Sequence, residues 1–162
     1  MKTLIQQTGL ILMATFFIGC VDSPILNHAD AAPAEQQLAV ESICPIAFTE
    51  HNLCASLTWV KQATDSETGE FTLKFWDKTQ GSESGPYVTP ALTPFVKLWM
   101  PSMGHGSSPV HLVATLDAAG AATPGVFSAT NVYFIMPGKW EIWVQLKQDA
   151  QVIAQAKLDV EI

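Results

Sequence analysis

Met100, Met103 and His105 stand close together in Leu98-Trp99-Met100-Pro101-Ser102-Met103-Gly104-His105-Gly106, and Met136 occurs in a second Pro/Gly-containing stretch, Phe134-Ile135-Met136-Pro137-Gly138-Lys139-Trp140. Thioether sulfur is a soft donor and imidazole nitrogen a borderline one. A group of Met100, Met103, His105 and Met136 therefore suits copper, and Cu(I) above all, better than a hard cation, whereas zinc favours thiolates or several imidazoles. The ordinary role of a methionine is to fill an irregular gap in a core. Met103 lies among Pro, Ser, Gly and His with no apolar period that would bury it, which favours the ligand role for Met103 and His105. Met100 and Met136 each close an apolar run, where a ligand and a core cap fit equally well. Gly104 and Gly106 give the backbone the freedom to turn Met103 and His105 toward one point.

The segment MPSMGHGSSPV, followed by GVFSATNVYFIMPGKWEIWVQL, resembles the YtkA-like/FixH-like group of exported β-sandwich domains, which carry a Met-Pro-x-Met-Gly-His-Gly signature and a later Met-x-Gly-x-Trp strand turn. Met100, Met103 and His105 match the first motif; Met136, Gly138 and Trp140 match the second. The resemblance covers roughly residues 53–146 in layout and is specific at those two segments. It implies an immunoglobulin-like sandwich outside the cytoplasm, with a part in copper handling or in the assembly of copper-containing respiratory oxidases. FixH-like proteins carry a transmembrane anchor where this chain has the pattern of a lipid anchor, a departure that weakens the case for the oxidase-assembly role without removing it.

That anchor is read from residues 1–20, MKTLIQQTGLILMATFFIGC, where one Lys precedes an apolar run too short to span a bilayer and Gly19-Cys20 ends it as a bacterial lipobox would. Residues 1–19 are then a lipoprotein signal peptide and Cys20 the lipidated first residue of the mature chain. A signal cut near Ala31-Ala32 is the alternative. Val21 after the cysteine directs a lipoprotein to the outer membrane, facing the periplasm, if the host is Gram-negative. Residues 20–42, rich in Ala, Pro and polar side chains, read as a flexible tether that includes His28, and residues 43–162 as the folded domain. With Cys20 lipidated, Cys44 and Cys54 remain as an even pair in an oxidising compartment, which predicts a disulfide between them. The alternative is a metal-binding or redox thiol pair assisted by His51, for which a CxxC spacing would have been the support.

The elements that must hold these residues read as short strands divided by turn chemistry, with no sustained helical period. Residues 54–61 put Ala55, Leu57 and Trp59 on one face and Ser56 and Thr58 on the other; residues 71–77 repeat the pattern with Phe71, Leu73 and Phe75, so the two form a hairpin about a turn at 65–69. Residues 81–94, with three Pro and two Gly, read as a long crossover between sheets. Strands follow at 95–100 and 110–116, then a turn at 120–125. Residues 132–136 and 140–146 are expected as a tight hairpin about Pro137-Gly138-Lys139. Residues 152–162 alternate cleanly, with Val152, Ala154, Ala156, Leu158, Val160 and Ile162 on one face. His111 shares a face with Val113 and Thr115, opposite Val110, Leu112 and Leu116, and is expected at the surface. The whole reads as an all-β, immunoglobulin-like two-sheet antiparallel sandwich of about seven strands.

Composition narrows the function. The 162 residues carry 8 basic side chains, all Lys, against 15 acidic ones, a net charge of −7. Without an Arg there is no bidentate guanidinium to grip phosphate, so nucleic acid is not an expected partner. Nor does an enzymatic constellation occur: there is no GxSxG, HExxH or phosphate-binding loop, and the carboxylates are scattered. The expectation is a non-enzymatic, lipid-anchored envelope protein that binds copper for delivery, buffering or tolerance, with a copper-transport or oxidase-assembly protein as a further partner. The alternative is an interaction module whose Trp99, Met100 and Met103 loop docks, without metal, onto a membrane complex such as an oxidase assembly or a transporter.

Overall fold

A computed structural model describes residues 44–162. The expected signal peptide, lipidation site at Cys20 and tether fall outside the described residues. Nine strands make up the fold: β1 (Ile46–Phe48), β2 (Leu53–Lys61), β3 (Gly69–Asp77), β4 (Thr93–Met100), β5 (His105–Gly106), β6 (His111–Leu116), β7 (Ala122–Val132), β8 (Lys139–Gln148) and β9 (Gln151–Glu161). A single 3₁₀ turn, Thr49–His51, follows β1, and no α-helix occurs among the described residues.

All strand pairs are antiparallel, in one sheet of order β1-β2-β3-β7-β6 and another of order β5-β4-β8-β9. Setting aside the short β1 and β5, seven strands remain, in the order first-second-fifth-fourth and third-sixth-seventh. That is the arrangement of a constant-type immunoglobulin sandwich. The expected β2–β3 hairpin forms, with Ala55 opposite Phe75 and Leu57 opposite Leu73. Residues 78–92 carry the chain from the first sheet to the second, as the Pro/Gly content of that stretch predicts.

The core lies between the sheets. Phe71, Leu73 and Phe75 of β3 meet Val96 and Leu98 of β4 and Trp140, Ile142, Val144 and Leu146 of β8, all essentially buried. Apolar area removed from water at roughly 25 cal/mol per Å² is what joins the two layers. Along β9 and just past its end the alternation holds from Ala154 to Ile162, each inward residue half-buried at the edge beside β8, while Val152 is exposed where the β8–β9 register shifts at Leu146/Lys147.

Two expectations are corrected. Residues 132–136 and 140–146 are not a hairpin: β7 ends at Val132 in the first sheet, and β8 begins at Lys139 in the second. Asn131, at φ 57, turns the chain out of β7, and Phe134 is fully buried as the connection crosses the end of the sandwich. An apolar run that plugs a core while changing sheets thus imitates a strand. The turn expected at 120–125 is shorter: it closes at Asp117–Ala121, and Gly125 lies inside β7 at φ 65, where the β6–β7 register shifts. A Cβ on Gly125 would come within 2.5 Å of the Val88 backbone, so this glycine makes room for the crossover strap.

Candidate metal centre

Period-two alternation along β4 sends Val96, Leu98 and Met100 inward and Lys97 and Trp99 outward. Met100, at the strand's end, is consequently a core residue with only 5% exposure. Its carbonyl accepts the backbone N–H of Met103 (3.2 Å) and of Gly104 (2.9 Å), which closes a tight turn over Pro101, Ser102, Met103 and Gly104. Gly104 takes φ 68, a conformation glycine adopts without strain. The chain then reverses onto β4 as β5, with His105 directly opposite Met100 and Gly106 opposite Trp99.

Directly opposed residues of an antiparallel pair project from the same face, with Cβ atoms about 4.5–5.5 Å apart. Met100 and His105 are therefore neighbours on the inner face at one end of the sandwich. His105 is half-buried and stands edge-on to Trp140, ring centroids 6.1 Å apart. Its Nδ1 lies 3.1 Å from the Gly106 carbonyl oxygen. A carbonyl only accepts, so in this hydrogen bond Nδ1–H is the donor, and Nε2 is the ring nitrogen not engaged by it.

The second motif reaches the same place from β8. The Trp140 Nε1–H donates to the Met136 carbonyl at 3.0 Å, folding residues 136–140 around the indole, whose other side meets Phe134 at 5.3 Å. Met136 is half-buried against the core. Gly138, at φ 129, faces the Met100 side chain so closely that a Cβ there would stand 2.9 Å from the Met100 Cε methyl. The Gly138 N–H and C=O exchange hydrogen bonds with Ile162 at 2.9 and 3.0 Å, which holds the turn against the end of β9. Trp140 thus meets the His105 ring and the Met136 carbonyl, while Gly138, two residues before it, faces Met100.

Met103 stands apart from this group in exposure: at the loop tip its side chain is 59% exposed. The backbone turn keeps it beside the Met100–His105 pair while leaving its thioether in solvent. Ser107, next after the β5 strand, donates its Oγ–H to the Tyr133 carbonyl and ties the hairpin to the β7–β8 connection. His111 is exposed on β6, as expected, and His51 is exposed in the 3₁₀ turn. Cys44 and Cys54 are joined in a disulfide, Cα atoms 5.3 Å apart, fixing the start of the described chain to β2.

Beside the loop lies an open depression of about 580 Å³, whose lining includes Pro101, Ser102, Trp140, Glu141 and Asp159. Lys157 bridges Glu141 and Asp159. The hydrogen bond from Lys157, aided by one from the Trp143 indole, holds the Glu141 carboxyl below the usual glutamate range against a smaller opposing effect of burial. Lys157 is in turn raised, chiefly by its hydrogen bond to Glu141. These charges satisfy one another.

No protein-family model, curated protein or solved structure matches this chain.

The chemistry of the donors decides which ion could fit. Among the described residues no three His, Cys, Asp or Glu side chains converge on a point. A metal bound at this end of the sandwich would have to draw on thioether sulfur and the single imidazole, and such a set suits a soft, low-coordinate ion. Sequence reasoning singled out the four candidate donors and named Trp140 in the second motif, but missed its hydrogen bond to the Met136 carbonyl and its contact with His105. Its signal is the Met-x-Gly-x-Trp spacing, which lets an indole N–H reach back to the methionine carbonyl.

Proposed function

We propose that the protein is a copper-binding lipoprotein of the cell envelope, which holds Cu(I) through Met103 and His105 with Met100 and Met136, and delivers or buffers the ion without turning over a substrate. The observation that carries this reading is the pairing of Met100 and His105 as direct cross-strand partners, with Gly138 of the Met136 turn against Met100 and Trp140 against the His105 ring. Two segments far apart in sequence thus bring their soft donors to one end of the fold. His105 would supply Nε2, the nitrogen not engaged by the Gly106 carbonyl. Bound copper would contribute a soft Lewis acid; the chain itself provides the donors, a half-buried approach and a fixed imidazole.

The rival docking reading needs Trp99, Met100 and Met103 to form an exposed apolar patch. Met100 is buried, and Trp99 is half-buried with the Lys97 ammonium 4.0 Å from its ring centroid, so of the three only Met103 is exposed. The test is a competition titration with a Cu(I) chelator. Met103→Leu and His105→Ala should each weaken binding by about tenfold or more, a change of about 1.4 kcal/mol, and Met103→Leu, at an exposed side chain, should leave thermal stability nearly unchanged. Equal affinity in wild type and both variants would refute the copper reading.

A further inference from the structure

We propose that Met103 is a methionine-oxidation site, and that its conversion to the sulfoxide releases the ion held by Met100, Met103, His105 and Met136. This rests on the copper reading and adds a regulation to it.

Three methionines lie among the described residues, and the fold treats them differently. Met103 is 59% exposed, Met100 is 5% exposed, and Met136 is half-buried against the core. Attack on a thioether requires access to sulfur, so a dissolved oxidant meets Met103 first. The loop is shaped by the Met103 and Gly104 N–H groups bonding to the Met100 carbonyl and by the left-handed Gly104, not by any contact of the Met103 side chain with the core. A sulfoxide at Met103 therefore leaves the turn and the sandwich as they are. At Met100 the same oxygen would sit in the apolar core without a partner, at a cost to the fold.

The reaction balances with hydrogen peroxide as the two-electron oxidant. The sulfur lone pair attacks one peroxide oxygen, the O–O bond breaks, an S=O bond forms, and the second oxygen leaves as water. The donor presented to the ion becomes a hard oxygen in place of a soft sulfur, which a Cu(I) centre disfavours. Methionine sulfoxide is reversible by reductases of that class, so the site can be reset.

The experiment treats the copper-free full chain with hydrogen peroxide, follows each methionine by peptide mass, and then titrates the product with a Cu(I) chelator. Met103 should oxidise about tenfold faster than Met100, in line with their exposures, with Met136 between them and the melting temperature unchanged. The oxidised protein should then lose Cu(I) affinity to the level of Met103→Leu, and peroxide should not weaken Met103→Leu further. Oxidation of Met100 or Met136 as fast as Met103 overturns the proposal and leaves the copper reading standing. So does an oxidised protein that binds as wild type while Met103→Leu binds weakly. Identical affinity for wild type, oxidised protein and Met103→Leu overturns the copper role of Met103, and the proposal with it.

Discussion

Gly138→Ala tests the assembly of the site without any metal. The substitution acts in two separable ways. The backbone at Gly138 has φ 129, a region that L side chains rarely adopt, and holding alanine there costs about 1–3 kcal/mol. The turn cannot relax freely, because the Gly138 N–H and C=O are both bonded to Ile162. The new methyl also stands 2.9 Å from the Met100 Cε, well inside ordinary contact. That atom is the far end of a flexible side chain, so Met100 yields, at about 1 kcal/mol, the low end of what overpacking costs. The total is about 2–4 kcal/mol.

Met100→Ala alone removes a buried side chain and should cost about 2–5 kcal/mol. It also removes the methyl that the alanine at 138 would strike. In the double variant the clash disappears and the backbone strain stays, so the two losses should fall short of additivity by about 1 kcal/mol. Urea unfolding of the four proteins, with the disulfide intact and a common slope, measures this directly. Strict additivity would show that the Met100 thioether does not lie against Gly138, and would refute the assembly of the two motifs around Trp140.

Two further outcomes concern β8 and β9. The β8–β9 hairpin turns on Asp149 and Ala150, both at positive φ (54° and 82°), the geometry of a two-residue turn that favours glycine at its second position. Ala150→Gly should raise stability by about 0.5–1 kcal/mol, left-handed strain relieved less the extra freedom of the unfolded chain; a loss on urea unfolding would contradict this. Glu141 is depressed and Lys157 raised in the folded state, so their stabilising contribution is whole between the two ordinary ranges. It fades as pH falls through the lowered Glu141 value, and again as pH rises through the raised Lys157 value. Glu141→Gln should flatten the acid limb of a stability–pH profile relative to wild type; an unchanged limb would rule out the coupling.

Where one face of a strand is buried and the other wet, the residues announce it. Ala55, Leu57 and Trp59, Phe71, Leu73 and Phe75, and Ala154 through Ile162 were all legible as inward rows, and with them the antiparallel sandwich. The stretch from Val132 to Trp140 was not legible. Phe134 is buried because it fills the gap between sheets at a crossover, and burial at a crossover has no period of its own. The candidate site divides in the same way. Residue type pointed to Met100, Met103, His105 and Met136, but which thioether faces the core depends on strand parity. Counting by twos from Val96 and Leu98 places Met100 inward; Met103, past the end of β4, has no parity to inherit.

The mixture of near and distant neighbours around Trp140 bears on the order of events in the life of the chain. Met100 and His105 meet within one tight hairpin, a contact that closes at small entropic cost and on a fast timescale. Trp140 and the Met136 turn arrive from beyond β6 and β7, and they do so when β8 pairs with β4 in the second sheet. An unfolded chain therefore displays its thioethers as a string along an extended polymer, and contacts of such long sequence separation are the slow ones to form. On the copper reading, capture of the ion is a late event: a nascent or partly folded molecule is a poor competitor for metal, and full affinity marks a chain in which β8 has joined β4 and β5.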